Sequence, residues 1–349
     1  MPNLLYIKSI LFRAIAGILW LVILYSTNSY AQDIHFSQYA ASPLNLNPAL
    51  TGFFNGSVRV FLNHRNQWAS VTVPYLTFSG GFDTQLFTNK YNRNAFGIGL
   101  VANADKAGDS KFGTIQGMLS LSYMQSLDRS NTNFLSFGIS AGLAQRTIDY
   151  TKLFFDRQFN GSYFDPLLYN SENFQVNSFL FYDINAGVYW NYRWADNQTI
   201  DAGIAVYHIN TPGQSLLKNN DVKLPRKWVF FTNPNIGLGD KFDVIPAIMI
   251  SVQGTYTEVI YGFKTLFSKD KKYYERTTFG IGVYSRHNDA LIISADMEYK
   301  GFTIGLSYDV NYSDLNKASN YNGGYEISLQ YIYSQRKHKR SKEIPCPIF

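Results

Sequence analysis

The sequence predicts an all-β transmembrane antiparallel β-barrel of about 14 strands, with short periplasmic turns and longer outer loops. Three observations indicate this fold class. Apolar and polar residues alternate almost throughout the chain, 17% of the residues are aromatic but only 16% are charged, and the mean hydropathy is −0.16. Soluble domains carry ~25% charged residues. Membrane barrels instead spread apolar residues over alternate positions, because each strand has a lipid-facing and a lumen-facing side.

Residues 1–31 have the features of a secretory signal peptide. Lys8 and Arg13 precede the apolar run 14–25, and Ser29 and Ala31 are small residues at the two positions that a signal peptidase recognises. We therefore expect the mature chain to start at Gln32. A transmembrane anchor is the alternative, but the apolar run is shorter than the ~20 residues of a spanning helix.

The charged residues and the single cysteine exclude several classes of function. Without the signal segment the chain has 29 basic and 25 acidic residues, a net charge of +4, which is too mild to indicate a nucleic-acid partner. Cys346 is the only cysteine, so the chain cannot form an internal disulfide. The five histidines show no metal-ligand spacing, and an enzyme would need one of them beside a nucleophile. We expect no metal, no cofactor and no enzymatic activity.

Strand periodicity divides the chain into an even number of segments. Phe302, Ile304 and Leu306, for example, alternate with Thr303 and Gly305, which sorts apolar and polar side chains onto opposite faces. Most segments have the length of ~9–11 residues or more that a tilted strand needs to cross a bilayer. The predicted strands are approximately 57–69, 75–87, 95–104, 111–127, 133–147, 180–194, 198–210, 226–236, 241–252, 255–267, 275–286, 289–299, 301–311 and 322–334.

The lengths of the connections predict an orientation. If the chain enters the first strand from the periplasm, the three longest connections (148–179, 211–225 and 312–321) all lie outside, whereas the connections at 195–197 and 300–301 are tight inner turns. This asymmetry is typical of outer-membrane barrels. It predicts an integral outer-membrane protein with both termini in the periplasm. A soluble β-sandwich is the alternative, although two packed sheets do not need so many long strands.

Two regions outside the predicted barrel (57–334) do not alternate. Residues 32–56 are rich in asparagine, proline and small residues, and we expect a periplasmic segment or a partial plug. Residues 335–349 form a basic periplasmic tail. Within the strands, the Gly97 and Gly99 pair should leave room on the inner face for other side chains.

Alternate positions of each strand face the lumen, and we call these positions the inner parity. Polar residues at these positions are the candidates for contact with a partner. A charge that faced lipid at mid-depth would cost ~2–4 kcal/mol, so these side chains should point into the lumen. They could simply line a solvated lumen and form ion pairs across it. Alternatively, they could bind a plug or a passing polypeptide. The candidates are Arg59, Asn63, Arg65, Gln67, Asp183, Arg193, Asp296, Glu298, Asp309 and Glu326.

The two ends of the mature chain resemble the PorP/SprF family of Bacteroidota. The N-terminal resemblance rests on a Gln-Asp start, an F-S-Q-Y segment, an N-P-A turn, an R-x-Q-W element and a later F-D pair. At the C-terminal end, 307–333 resembles the last hairpin of the family, and the Cys-Pro-x-Phe end is also similar. The matching residues include Gln32, Asp33, Phe36, Ser37, Gln38, Tyr39, Asn47, Pro48, Ala49, Arg65, Gln67, Trp68, Phe82, Asp83, Cys346, Pro347 and Phe349.

The resemblance implies a non-enzymatic outer-membrane accessory of type IX secretion and, in some members, of gliding motility. Such proteins assist export or surface attachment of adhesin-like cargo that carries a C-terminal sorting domain. The implied partners are outer-membrane lipid, secreted cargo and other secretion or gliding components. The alternative is a solute channel or a transporter of small hydrophobic molecules, since a water channel would show the same polar lumen.

Overall fold

The computed structural model describes residues 33–71, 73–87, 94–165, 167–168, 176–195, 198–216, 222–269, 277–314 and 316–334. The predicted signal peptide, the C-terminal tail and the turn at Asp196-Asn197 therefore lie outside the described residues. None of the helices in the described part of the chain is long and apolar enough to cross a membrane.

The described chain is almost entirely β-strand, and each strand is long. Its short helices are α1 (Pro43–Leu46) and α2 (Asn316–Ser319), with 3₁₀ turns at Tyr39–Ala41, Pro48–Leu50, Tyr150–Lys152 and Asp156–Gln158. The strands are β1 (Val58–Gln67), β2 (Tyr75–Leu86), β3 (Ala95–Ala107), β4 (Phe112–Ser126), β5 (Asn133–Thr147), β6 (Ser178–Ala195), β7 (Gln198–Tyr207), β8 (Lys227–Thr232), β9 (Asn235–Gly237), β10 (Phe242–Gln253), β11 (Tyr256–Ser268), β12 (Thr277–Arg286), β13 (Ala290–Tyr299), β14 (Phe302–Asn311) and β15 (Asn322–Tyr333).

The strands form one closed antiparallel barrel with 14 strand positions, and the predicted fold class is confirmed. Each strand pairs with its neighbours in sequence, and β1 pairs with β15 to close the ring. β8 and β9 together occupy one position between β7 and β10. They are separated at Asn233-Pro234, where Pro234 has no N–H to donate to a ladder.

Side chains alternate between an apolar outside and a polar inside, which is the reverse of a soluble protein and is expected of a membrane barrel. Phe78 is 49% exposed on the outside, whereas its neighbour Ser79 is fully buried inside. Leu306 and Ser307 repeat the contrast in β14, three strand positions away. The outer surface is therefore apolar and the inner surface largely polar, as a lipid surrounding requires.

The two ends of the barrel differ in their connections. The loop end, as we name it, carries the connections 148–177, 208–226 and 312–321, which are the three longest. The opposite turn end includes the two-residue turn at Lys300 and Gly301. Both residues have positive φ, which a tight type I′ hairpin requires.

The N-terminal segment (33–56) runs through the lumen from the loop end to the turn end. Asp33 contacts His208 at the loop end, and Gly52 contacts Asp83 near the turn end, where β1 begins. The chain leaves β15 at the turn end, so the described chain starts and finishes at opposite ends of the barrel. The expectation that both termini lie on one side of the membrane stays a prediction, because residues 1–32 and 335–349 lie outside the described residues.

Candidate functional site

A cluster of buried charges holds the first part of the N-terminal segment at the loop end. Arg65 lies 2.9 Å from Asp309 and 3.3 Å from Glu326. Arg286 lies 3.0 Å from the same Asp309 and 3.5 Å from Glu258. All five side chains are at least 96% buried, and they come from β1, β11, β12, β14 and β15. We call these five residues the latch cluster.

Ser37 is the residue of the N-terminal segment that enters the latch cluster. Its hydroxyl lies 2.8 Å from both carboxylate oxygens of Asp309, and it accepts hydrogen bonds from Arg65 and Arg286. The backbone N–H groups of Ser37 and Gln38 donate to the two carboxylate oxygens of Glu326, at 2.8 and 3.0 Å. Charge-assisted bonds of this kind are the strong ones, so the segment and the barrel wall form one buried network.

A second buried contact fixes the start of the described segment. The His208 imidazole lies between two carboxylates: Nδ1 is 3.0 Å from Asp183, and Nε2 is 2.7 Å from Asp33. Lys227 also donates to the carbonyl of Ile34, at 3.3 Å. Burial alone would lower the pKa of His208, but its interactions with Asp33 and Asp183 outweigh burial and raise that pKa from 6.5 to about 9.

The His208 contact should make the start of the segment sensitive to alkaline pH. Because the pKa of His208 is raised in the folded state, the charged imidazole stabilises the contact fully below its ordinary pKa of 6.5, and the stabilisation is lost as the pH rises through about 9. A spin label at Ile34 should therefore become more mobile across that range. The variant His208→Gln should show no such step, and a pH-independent spectrum of the parent protein would contradict the prediction.

The middle of the segment packs directly on the backbone of the barrel wall. The row of wall residues opposite the N-P-A turn is small on five successive strands, since Gly97, Ser122, Gly138, Gly187 and Ala205 are paired in register. A Cβ on Gly138 would lie 2.3 Å from the backbone of the turn, and one on Gly97 would lie 2.2 Å from a backbone oxygen there. The structure thus gives the small residues a definite reason: they leave room for the N-terminal segment.

Asn47 connects this turn to the wall. It is fully buried, its Oδ1 accepts from the N–H of Ala49 at 2.8 Å, and its Nδ2 donates to the carbonyls of Val188 and Ile204 at 3.0 and 3.2 Å. The Asn47→Ala variant leaves the Ala49 N–H without this partner inside the protein. We expect it to lower the free energy of unfolding by about 1–3 kcal/mol, measured by urea titration in detergent.

A matched control for that substitution is Asn66→Ala. The Asn66 amide lies on the outer parity of β1 and makes a single long contact of 3.4 Å with Tyr325. We expect a change within about 0.5 kcal/mol, because the substitution removes only this one long contact. Equal effects of the two alanine variants would mean that the buried contacts of Asn47 do not hold the turn.

An ion pair near the turn end holds the last part of the segment. Arg59 and Asp83 form a bidentate pair, with Nε and Nη2 of the arginine at 2.9 and 2.7 Å from the carboxylate. Asp83 also accepts the N–H of Gly52 at 2.7 Å, and Arg59 donates to the carbonyl of Leu50 at 3.0 Å. Both residues thus position the segment just before it enters β1.

The structure divides the predicted lumen residues into three groups. Arg59, Asn63, Arg65, Asp183, Asp309 and Glu326 are buried and lie in or beside contacts with the N-terminal segment. Gln67 is buried and accepts from Arg65, and Asp296 lies 3.1 Å from Lys264 beside a cavity of about 290 Å³. Arg193 and Glu298 have the inner parity but are exposed near the turn end.

The family-motif residues are also distributed along the segment. Gln38 donates to Ser307 and to the carbonyl of Glu326, and the Tyr39 hydroxyl donates to Asn233 at 2.6 Å. Pro48 and Ala49 are buried against the wall. Trp68 follows β1 with a φ of 59° and packs edge-on against Tyr75 at the loop end.

Sequence reasoning missed Ser37, Glu258, Arg286 and His208 as site residues. Strand parity could have identified Glu258 and Arg286, because they share a face with other inward residues of β11 and β12. Ser37 lies outside strands, where parity says nothing. His208 has the outward parity of the predicted strand 198–210, but the strand ends at Tyr207 and His208 turns inward beyond it. Among the described residues no three His, Cys, Asp or Glu side chains are grouped so that they could hold a metal ion.

Several outer-membrane barrels among solved structures are similar to this chain at low sequence identity. The toluene transporter TbuX of Ralstonia pickettii is 11% identical, with 88% of this chain and 96% of that chain covered and a TM-score of 0.46. The CymD monoaromatic hydrocarbon channel is 12% identical, with 84% and 93% covered and a TM-score of 0.46. BamA of Haemophilus ducreyi lacking POTRA domains 1–3 is 7% identical, with 79% and 71% covered and a TM-score of 0.41.

The family comparison covers most of the chain. No curated protein matches the sequence. The family described as "Type IX secretion system membrane protein PorP/SprF" matches residues 28–331, and together with the barrel it supports an integral outer-membrane location. The chain belongs to the PorP/SprF family of type IX secretion system membrane proteins.

Proposed function

We propose that this barrel is a non-enzymatic accessory that assists type IX secretion or surface attachment of specific adhesin-like cargo with a C-terminal sorting domain. The family match carries the proposal. In this proposal the loop end faces outward, the C-terminal tail is periplasmic, and the N-terminal segment is a plug. A role in gliding motility belongs to the same proposal, since the cargo would be displayed on the cell surface.

The N-terminal segment inside the lumen supports a docking role over an open pore. The N-terminal segment contacts inward residues of β1–β7, β14 and β15, and buried ion pairs fix it near both ends. A polypeptide partner would then engage the loops. The connection 148–177 presents exposed aromatic side chains, among them Phe154 at 72% and Tyr163 at 62%, and contiguous exposed apolar groups mark interaction sites.

The geometry around His208 also supports a role without catalysis. Both ring nitrogens are already within hydrogen-bond distance of carboxylates, Asp183 and Asp33. A general base needs a free nitrogen beside the hydroxyl or thiol that it activates. His208 in this arrangement serves as a structural contact.

Deletion of the gene in its native host tests the proposal. We expect one or a few cargo proteins with a sorting domain to remain in the cell or to be released to the medium, while other type IX cargo reaches the surface. A double variant, Phe154→Ser with Phe159→Ser, should reproduce the defect, and Tyr299→Ser at the turn end is the matched aromatic control. Unchanged cargo location in the deletion strain would refute the proposal.

The solute-channel alternative is tested by conductance in planar bilayers. The purified full-length barrel should be silent, because the N-terminal segment runs through the lumen from one end to the other. Deletion of residues 33–50 should produce steady single-channel conductance. Steady conductance of the full-length protein would favour the channel.

A further inference from the structure

The outer face of the barrel wall carries a long apolar groove behind the N-P-A turn. Its volume is about 850 Å³, and its floor is the backbone of the small-residue row, which follows the direction of the ladder hydrogen bonds across β3 to β7. Outward side chains form its two banks, with Phe96, Phe137, Val188 and Ile204 on one bank. The other bank includes Ile98, Leu121, Ile139, Ala186, Val206 and Trp228.

The small residues of the wall account for the groove. Because the row has little or no side chain, the N-terminal segment packs against its backbone on the inside. On the outside, Ala186 is the smallest outward residue among its large apolar neighbours, so the wall is thin there. The groove and the site of the plug are therefore the two faces of the same stretch of wall.

The dimensions of the groove favour a linear occupant. The groove extends from β3 to β8, about five strand spacings, which is about 24 Å at ~4.8 Å per spacing. All of the open space between the two banks, about 1510 Å³, corresponds over that length to a cross-section of about 63 Å². An α-helix with a diameter of ~10 Å needs about 80 Å², so a transmembrane helix does not fit.

The chemistry of the groove excludes an extended peptide as well. The backbone of its floor is already paired within the barrel ladders, and its lining is almost entirely apolar. A peptide strand in this position would have no partners for its own N–H and C=O groups, which cost several kcal/mol each in hydrocarbon. A hydrocarbon chain has no such groups. The groove is also continuous with the apolar outer surface that faces the lipid of the outer membrane.

We propose that this groove binds an acyl chain of an outer-membrane lipid as a specific site, distinct from the fluid lipid around the barrel. The apolar side chains of the two banks order the chain, and its burial fills space that the thin wall leaves empty. The occupied groove supports the wall from outside at the place where the N-P-A turn presses on it from inside. The proposal rests on the wall geometry and does not depend on which cargo the protein serves.

Groove filling with a matched control tests the site. Ala186→Phe places a ring in the groove, whereas Ala295→Phe adds the same ring on the outer face of β13, away from the groove. Native mass spectrometry of the full-length protein, purified from its outer membrane, should show one retained acyl lipid for the parent and for Ala295→Phe. Retention by Ala186→Phe should fall about tenfold, the loss expected when about two methylenes can no longer be buried. Equal retention by both variants, no retained lipid in the parent, or a retained polypeptide would overturn the proposal.

Trp228 provides a second measurement that does not depend on filling the groove. In vesicles with an increasing fraction of phospholipid brominated on the acyl chain, the fluorescence lost in Trp228→Phe reports the groove. The fluorescence lost in Trp190→Phe reports an outward tryptophan outside the groove, two residues beyond Val188 on β6. Trp228 should reach half-quenching at a lower fraction of brominated lipid. Coincident quenching curves would show that the groove contains only fluid lipid, and the proposal would fail.

Discussion

Asp309→Ala should lower the free energy of unfolding by about 3–5 kcal/mol, the range measured when one partner of a buried ion pair is removed. Asp309 is the shared partner of Arg65, Arg286 and Ser37, and its side chain is only 4% exposed. Its removal leaves the buried guanidinium groups of Arg65 and Arg286 with one negative partner fewer, and the hydroxyl of Ser37 loses its carboxylate acceptor. Urea unfolding of the full-length barrel in detergent, followed by tryptophan fluorescence, measures the change.

Asp296→Ala is the matched control, because Asp296 is also an inward aspartate in an ion pair. Its pair with Lys264 is partly exposed, at 16% and 28% of the two side chains, and we expect a cost of no more than about 1 kcal/mol. In the Asp309 variant the N-terminal segment should also become accessible to protease from the loop end. Similar stability of the two variants would show that the latch cluster does not hold the segment.

Gly138→Val should make the barrel conduct ions, because it should displace the N-terminal segment from the lumen. The new Cβ would lie 2.3 Å from the backbone at Pro48 and Ala49, closer than any real contact, and the wall cannot move outward without breaking its ladders to β4 and β6. The N-P-A turn must therefore leave the wall, and the lumen opens. Planar-bilayer recording should show steady conductance that the parent protein lacks.

Gly117→Val controls for the loss of a strand glycine. Gly117 lies in the neighbouring strand β4 with the outer parity, and a Cβ there meets nothing within 4 Å. This variant should fold and remain silent in the bilayer. If Gly138→Val folds and is equally silent, the turn does not depend on the glycine row.

Strand periodicity predicted the barrel well because face and lipid exposure depend on parity alone. Parity correctly placed Asp309 and Glu326 on the inner side. It contains no information on the position of a residue along the barrel axis, so it could not separate them from Arg193 and Glu298, which lie exposed near the turn end. Contacts such as that between Ser37 and Asp309 join residues 272 positions apart. No local pattern encodes them, and the path of the N-terminal segment could not be predicted for this reason.

The latch cluster spans the seam where the first and last strands of the barrel meet. Arg65 of β1 is the direct register partner of Glu326 of β15, and Asp309 comes from the adjacent β14. A slip of one residue at this seam would turn Arg65 toward lipid, at a cost of ~2–4 kcal/mol at mid-depth. The cluster can form only after the last strand has joined the first in the correct register. The N-terminal residues are synthesised before any strand, yet their binding site is completed last. They can therefore dock only in a barrel that has closed in the correct register.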